Sequence, residues 1–111
     1  MKPVEFLGDS RNDLRRFPDD ARRRAGHELD RLQRGLAPTD WKPMVTVGRS
    51  VREIRIRGDG GAFRVIYVAS FASAVYVLHC FQKKSQRTSR PDIDLAVQRY
   101  RELMREQTRE P

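Results

Sequence analysis

Five basic residues set into β-rich segments, or directly after them, are the part of this chain best suited to chemistry. Arg55, Arg57 and Arg64 stand among β-branched and aromatic residues, and Lys83 and Lys84 lie where the last such segment ends. A cation on a strand loses hydration unless its sheet face stays wet or meets an anion. Guanidinium groups match the paired oxygens of a phosphate, and a lysine ammonium adds a compact point charge. The pattern therefore predicts a wet, cationic sheet face that meets phosphate. The run from Lys83 to Arg90 extends it with Arg87 and Arg90 and contains no acid. A solvated loop is the bland account of that run. Its place beside a cationic strand face favours a phosphate clamp.

Other chemistries find little to work with. Two histidines and one cysteine, far apart in sequence, do not make a metal ligand set. The chain has no Gly-Lys-Ser/Thr phosphate loop, no dinucleotide fingerprint and no nucleophile elbow. No metal and no cofactor is expected, so any catalysis rests on cations, backbone and at most one acid.

The elements that must position these cations can be read from periodicity. Ile54 and Ile56 alternate with Glu53, Arg55 and Arg57, which puts the charged residues on one face of a strand. Gly58, Asp59, Gly60 and Gly61 form a hairpin turn signal. A second strand over 62–70 and a third over 75–81 are apolar on both faces apart from Arg64 and His79, so three strands make an antiparallel meander. His79 reads as a core histidine bonded to backbone. On a wet face Arg64 would contribute little to folding, and its removal would leave stability nearly intact.

Val65 to Phe81 is seventeen residues without a formal charge, close to the ~18 that suggest a membrane span. Its β-branched ends and central Ser70, Ala72, Ser73 and Ala74 indicate a hairpin instead.

Two helices are expected before the sheet. Ser10 followed by Asp13 suggests an N-cap opening a short helix to Phe17. Pro18 ends it and can begin the next, with Asp19 and Asp20 in the first turn. Ala21, Ala25, Leu29, Leu32 and Leu36 then form one apolar stripe, closed by Gly35 as C-cap. The opposite, arginine-rich face reads as solvated. Val4 to Leu7 is a candidate short strand, and 36–49 reads as a loop whose Trp41, Met44 and Val47 cover a core edge. A last helix begins near Pro91, with Ile93, Val97, Tyr100, Leu103 and Met104 on its apolar face, and residues from Gln107 to Pro111 are expected to fray.

The whole chain, 111 residues, is one domain with room for a single core. Its 23 Lys and Arg against 15 Asp and Glu give a formal charge of +8, which favours a polyanionic partner. A lone cysteine excludes an internal disulfide and suits a reducing cytoplasm. The N-terminus shows no signal-peptide pattern.

These residues resemble a known family. Glu53 with Arg55, the run Arg64, Val65 and Tyr67, and the run Phe81, Lys83 and Lys84 are similar to motifs of the RelE/ParE toxin superfamily, and closest to phage-related HigB-like toxins. The resemblance spans about residues 3 to 105. It implies an α+β fold, RelE-like, with an N-terminal helical pair packed on a small antiparallel β-meander and a C-terminal helix. It implies the toxin of a type II toxin–antitoxin system, a metal-independent endoribonuclease that cuts mRNA on the translating ribosome and so inhibits protein synthesis. The implied partners are mRNA, the ribosome and a cognate antitoxin with helix-turn-helix character, HigA-like.

By position, Arg55, Arg57 and Arg64 match the family's strand cations, Lys83 and Lys84 the basic run after the last strand, and Arg87 more weakly. The chain departs from the pattern at the start of the last helix. Several relatives carry a tyrosine or histidine there, and here the segment runs from Ser89 to Asp94 with neither. Tyr67 or Glu53 are the candidates to replace it, and no spacing selects between them. A ParE-like gyrase inhibitor and a non-enzymatic nucleic-acid-binding domain are the alternative readings.

Overall fold

In the computed structural model, which describes residues 1–109, three helices and five strands follow in the order β1 (Val4–Phe6), α1 (Ser10–Arg15), α2 (Asp19–Gln33), β2 (Trp41–Pro43), β3 (Val51–Gly58), β4 (Gly61–Val68), β5 (Val75–Lys83) and α3 (Arg90–Arg109). The architecture is α+β, as expected. The three-stranded meander is the centre of a wider, mixed sheet of order β1-β5-β4-β3-β2, in which β1 pairs in parallel with β5.

The β2 strand corrects the expectation of a continuous loop over 36–49. Three residues containing a proline give almost no strand signal. At a sheet margin, however, a missing N–H removes no ladder bond that matters. Pro43 stands opposite Arg52, and Trp41 opposite Ile54. The Arg52 guanidinium lies 4.0 Å over the Trp41 ring.

Helix α2 carries its stripe as predicted up to Leu32, with Ala21, Ala25, Leu29 and Leu32 buried. It ends in a Schellman turn. Gly35 takes φ +80°, Gly35 N–H donates to Leu32 O (3.0 Å) and Leu36 N–H to Arg31 O (2.9 Å). Leu36 therefore falls outside the stripe and is 49% exposed. At the other end Pro18 is the N-cap rather than the first helical residue. Ser10 likewise is not a cap. Asp9 occupies that position, while the Ser10 hydroxyl turns inward and donates to Val77 O at 3.3 Å. Helix α3 is continuous through Gln107 to Arg109, where fraying was expected; Glu110 and Pro111 lie outside the described residues.

Helices α1 and α2 cover one sheet face and α3 covers part of the other, giving two apolar layers. Ile54, Ile56, Phe63, Val65, Val77 and Cys80 meet Leu14, Phe17, Ala21 and Leu29 in the first. Val51, Ile66, Val68 and Leu78 meet Ala96 and Leu103, with Met44 and Val47 beside them, in the second. The uncharged stretch from Val65 to Phe81 is the core of the β4–β5 hairpin, and no helix among the described residues is long and apolar enough to cross a membrane.

One irregularity controls what each face carries. Along β4 and β5 the register runs Lys83 opposite Ala62, Phe81 opposite Arg64 and His79 opposite Ile66, then slips so that Val77 meets Tyr67. Leu78 is the extra residue of a β-bulge. Alternation alone would put residues 79, 81 and 83 on the α1/α2 side with Val75 and Val77. The bulge reverses them, so His79, Phe81 and Lys83 share the face of Arg64. Helix α3 secures this kink, because the buried Arg99 donates to Leu78 O at 2.8 Å.

Candidate phosphate-binding site

The face shared with α3 changes character along its length. Its first cross-strand row, Val51 and Val68, is buried in the α3 layer, and the next is Glu53, Ile66 and His79. Then come Arg55, Arg64 and Phe81, and finally Arg57, Ala62 and Lys83. Directly opposed residues point to the same side, so two rows of a single face gather four of the six predicted site residues. Arg55 and Arg57 are exposed and Lys83 half-buried. Lys84 and Arg87 lie in the exposed segment beyond β5, where among the described residues no side-chain bond joins them to the rows.

The other side of the same hairpin tip is firmly supported. Phe63 packs on Phe17 with ring centroids 4.8 Å apart. Asp20 Oδ2 accepts the Asp59 N–H at 2.7 Å, and Arg24 donates to Arg57 O at 2.8 Å. The backbone bond from Asp59 holds the Asp20 carboxyl below its ordinary value. The cationic rows therefore sit on a braced tip rather than on a free ribbon.

Arg64 corrects the expectation of a wet-face arginine. It is only 8% exposed, and it lies over Glu53, which is 0% exposed. Arg64 Nε is 3.4 Å from Glu53 Oε1, and Lys42 Nζ of β2 is 3.6 Å from the same oxygen. Both contacts are within ionic range but outside hydrogen-bond alignment. The other carboxylate oxygen, Oε2, accepts the Thr88 hydroxyl at 3.0 Å. One buried carboxylate thus joins β2, β4 and the segment before α3. Removing Arg64 would strand that charge, so the residue bears on stability as well as on chemistry.

The charge crowding has two consequences. Burial pulls Arg64 down from its ordinary value, and Glu53 partly offsets it; a guanidinium remains charged regardless. Lys83 is also lowered, first by lost hydration and then by the neighbouring Arg64 and Lys42. An ammonium with a depressed pKa gives up its proton more readily than a free lysine.

Of the two candidates for a proton acceptor, Tyr67 is removed from this site. It stands opposite Arg52 and packs in the layer under α1 and α2, on the other face. Glu53 is on the correct face but fully enclosed by its three partners. His79, read as a backbone-bonded core residue, instead binds a carboxylate. Its Nε2 is 2.7 Å from Asp92 Oδ1, its ring stacks on Phe81 at 5.0 Å, and its Nδ1 is buried without a partner. Asp92 Oδ2 accepts the Ser89 hydroxyl at 2.6 Å, and the Asp92 N–H donates back to Ser89 Oγ at 3.3 Å. This Ser89 cap fixes the start of α3 beside the cationic rows.

Lys42 and Thr88 gave no sequence signal, one because β2 was unrecognised and the other because it lies in an irregular segment. Glu53 did give one: a lone acid among strand cations marks an internal counter-ion. Among curated proteins none matches this sequence. The family described as Phage derived protein Gp49-like (DUF891) matches over residues 12–101, a span from α1 into α3 that contains every cation of the site. The chain therefore belongs to the phage-derived Gp49-like family, a toxin-like family related to the RelE/HigB-type toxins.

Proposed function

We propose that this protein is the toxin of a type II toxin–antitoxin pair and acts in the cytoplasm as a metal-independent endoribonuclease on mRNA at the ribosome. The observation that carries the reading is the pair of rows Arg55–Arg64 and Arg57–Lys83 on one sheet face, with Arg55 and Arg57 exposed. The chemistry that suits such a face is transesterification at phosphate. The 2′-hydroxyl gives up its proton to water and its oxygen bonds to the adjacent phosphorus. The bond from phosphorus to the 5′-oxygen breaks, and that oxygen takes a proton, leaving a 2′,3′-cyclic phosphate and a 5′-hydroxyl. Arg64 and Arg55 stabilise the charge that builds on the phosphorane oxygens, where donors already in place are most effective. Lys83, with its lowered pKa, is the group suited to protonate the departing 5′-oxygen. Arg57, Lys84 and Arg87 bind flanking phosphates.

Brief induction in cells, with mapping of RNA ends, tests this. New 5′-hydroxyl ends within mRNA, reproduced by purified protein on programmed ribosomes in the presence of a chelator, support it. A DNA-damage response with intact mRNA would identify a gyrase inhibitor instead. Intact mRNA without such a response would leave a nucleic-acid-binding module and overturn the enzyme.

A further inference from the structure

β2 pairs with β3 only as far as Ile54, so the edge of β3 from Arg55 onward has no strand beside it. Helix α2 runs past this edge. Between them is a cleft of about 430 Å³ lined by Arg23, Arg24, His27, Arg55, Ile56 and Arg57, with Glu28, Thr39 and Asp40 at one end. Four arginines converge there against two acids, and both acids are already engaged. Glu28 accepts the Thr39 N–H and hydroxyl, each at 2.7 Å, and Asp40 Oδ1 accepts Arg55 Nε at 2.9 Å. Arg24 is anchored on Arg57 O. Arg23 and Arg57 are exposed and form no ion pair among the described residues. The cleft thus keeps unneutralised guanidinium groups and an exposed imidazole ring on a supported wall.

Arg55 and Arg57 belong both to this cleft and to the rows that carry Arg64 and Lys83. We infer that the cleft is a second phosphate-binding subsite, which receives single-stranded RNA as it leaves the Arg64–Lys83 face and turns over the edge of β3. Arg23, Arg24 and Arg57 bind backbone phosphates there, Arg24 through the guanidinium edge that Arg57 O leaves free, and His27 offers a face on which a base can stack. An extended peptide fits less well. The edge groups it would pair with are partly taken, since the Arg55 N–H bonds to Asp40 O and Arg57 O to Arg24. The inference rests on the reading of the face as an RNA site.

Fluorescence anisotropy with labelled single-stranded RNAs of about four and about twelve nucleotides, over a range of salt, tests it. Each neutralised phosphate adds about 0.7 to the magnitude of the log–log salt slope. The Arg23→Ala/Arg24→Ala variant should flatten the slope for the longer RNA by about 1.4 and leave that for the shorter one unchanged. Arg23→Ala alone, which removes no side-chain hydrogen bond or ion pair among the described residues, should give about half that loss. Arg101→Ala/Arg105→Ala, which removes equal charge from exposed positions of α3, should change neither. An unchanged slope in the cleft variants overturns the subsite, as does an equal loss in the α3 control. Loss of an acidic protein partner with the RNA slope intact would also overturn it, in favour of a peptide groove. If the native protein binds neither RNA, the parent reading falls together with the subsite; binding that survives every substitution removes the subsite alone.

Discussion

Lys83 is the residue at which function and stability pull in opposite directions. Its ammonium serves phosphate only while protonated, and its pKa in the folded chain lies below the ordinary 10.5. Activity should therefore fall as pH rises through that lowered value, and Lys83→Arg should move the alkaline limit upward, because a guanidinium does not titrate there. A pH–rate profile of the two proteins checks this. For folding the sign is reversed. The folded chain binds this proton more weakly than the unfolded chain, so the stability linked to Lys83 is present above about 10.5 and lost as pH falls through the folded value. Lys83→Met should then raise the melting temperature at neutral pH only slightly, because solvent screens this charge, while lowering the cleavage rate by about 10²–10³.

Glu53 behaves differently, since it is wholly buried and holds Arg64 and Lys42 together. Glu53→Gln leaves the enclosed Arg64 without its counter-charge. It should cost about 3 kcal/mol in denaturant unfolding, the lower end for a broken buried pair because alignment here is imperfect. A variant as stable as the native protein would show that Glu53 does not anchor Arg64.

At the level of elements, much of this arrangement could be read in advance. The α2 stripe, the glycine at its end, the hairpin at Asp59 and Gly60 and the alternation of Ile54 and Ile56 with Arg55 and Arg57 each follow from local rules. What escaped was non-local. Trp41 to Pro43 is a strand only because β3 lies alongside it. Arg64 looked wet because nothing in its own neighbourhood says that it packs over Glu53 beside Lys42. The buried Arg99 sits in a helix whose apolar residues explain its docking, and its role is set by a carbonyl of a distant strand. That role predicts a cost. Arg99→Met keeps the apolar stem but removes the donor to Leu78 O, which should destabilise by about 1–3 kcal/mol in a denaturant titration. A neutral result would mean that water or a backbone shift satisfies the carbonyl.

For the molecule as a whole, the decisive quantity is its unbalanced charge of +8. A face this cationic attracts polyanions generally, with rates and affinities that fall as salt rises. On the proposed function, the cell that makes this protein has to silence it, and a partner antitoxin of helix-turn-helix type is expected to do so by covering the cationic face or blocking its approach to the ribosome. A stable interface of this kind buries on the order of 1,600 Å² in total. Co-expression with the neighbouring gene should yield a co-purifying complex and restore growth. Growth unaffected by the chain alone, with no associating neighbour, would remove both partner and toxin from consideration.

The bulge at Leu78 has a genetic consequence. Strand geometry counts residues modulo two, so one codon decides on which side of β5 everything downstream emerges. Leu78→Ala keeps the count. It should cost about 2–5 kcal/mol as a core truncation yet leave the proposed activity intact in surviving folded protein. Loss of the Leu78 codon would leave a regular ladder, with His79 still opposite Ile66 and Lys83 still on the face of Arg64. An alanine codon added after Cys80 should do the reverse, turning Phe81 and Lys83 toward α1 and α2 and abolishing the proposed activity in a growth assay, with activity regained when that codon is removed. Such an allele would still encode every arginine and lysine of the site. A gene can therefore lose the proposed activity in a single in-frame step while its inventory of basic residues stays complete.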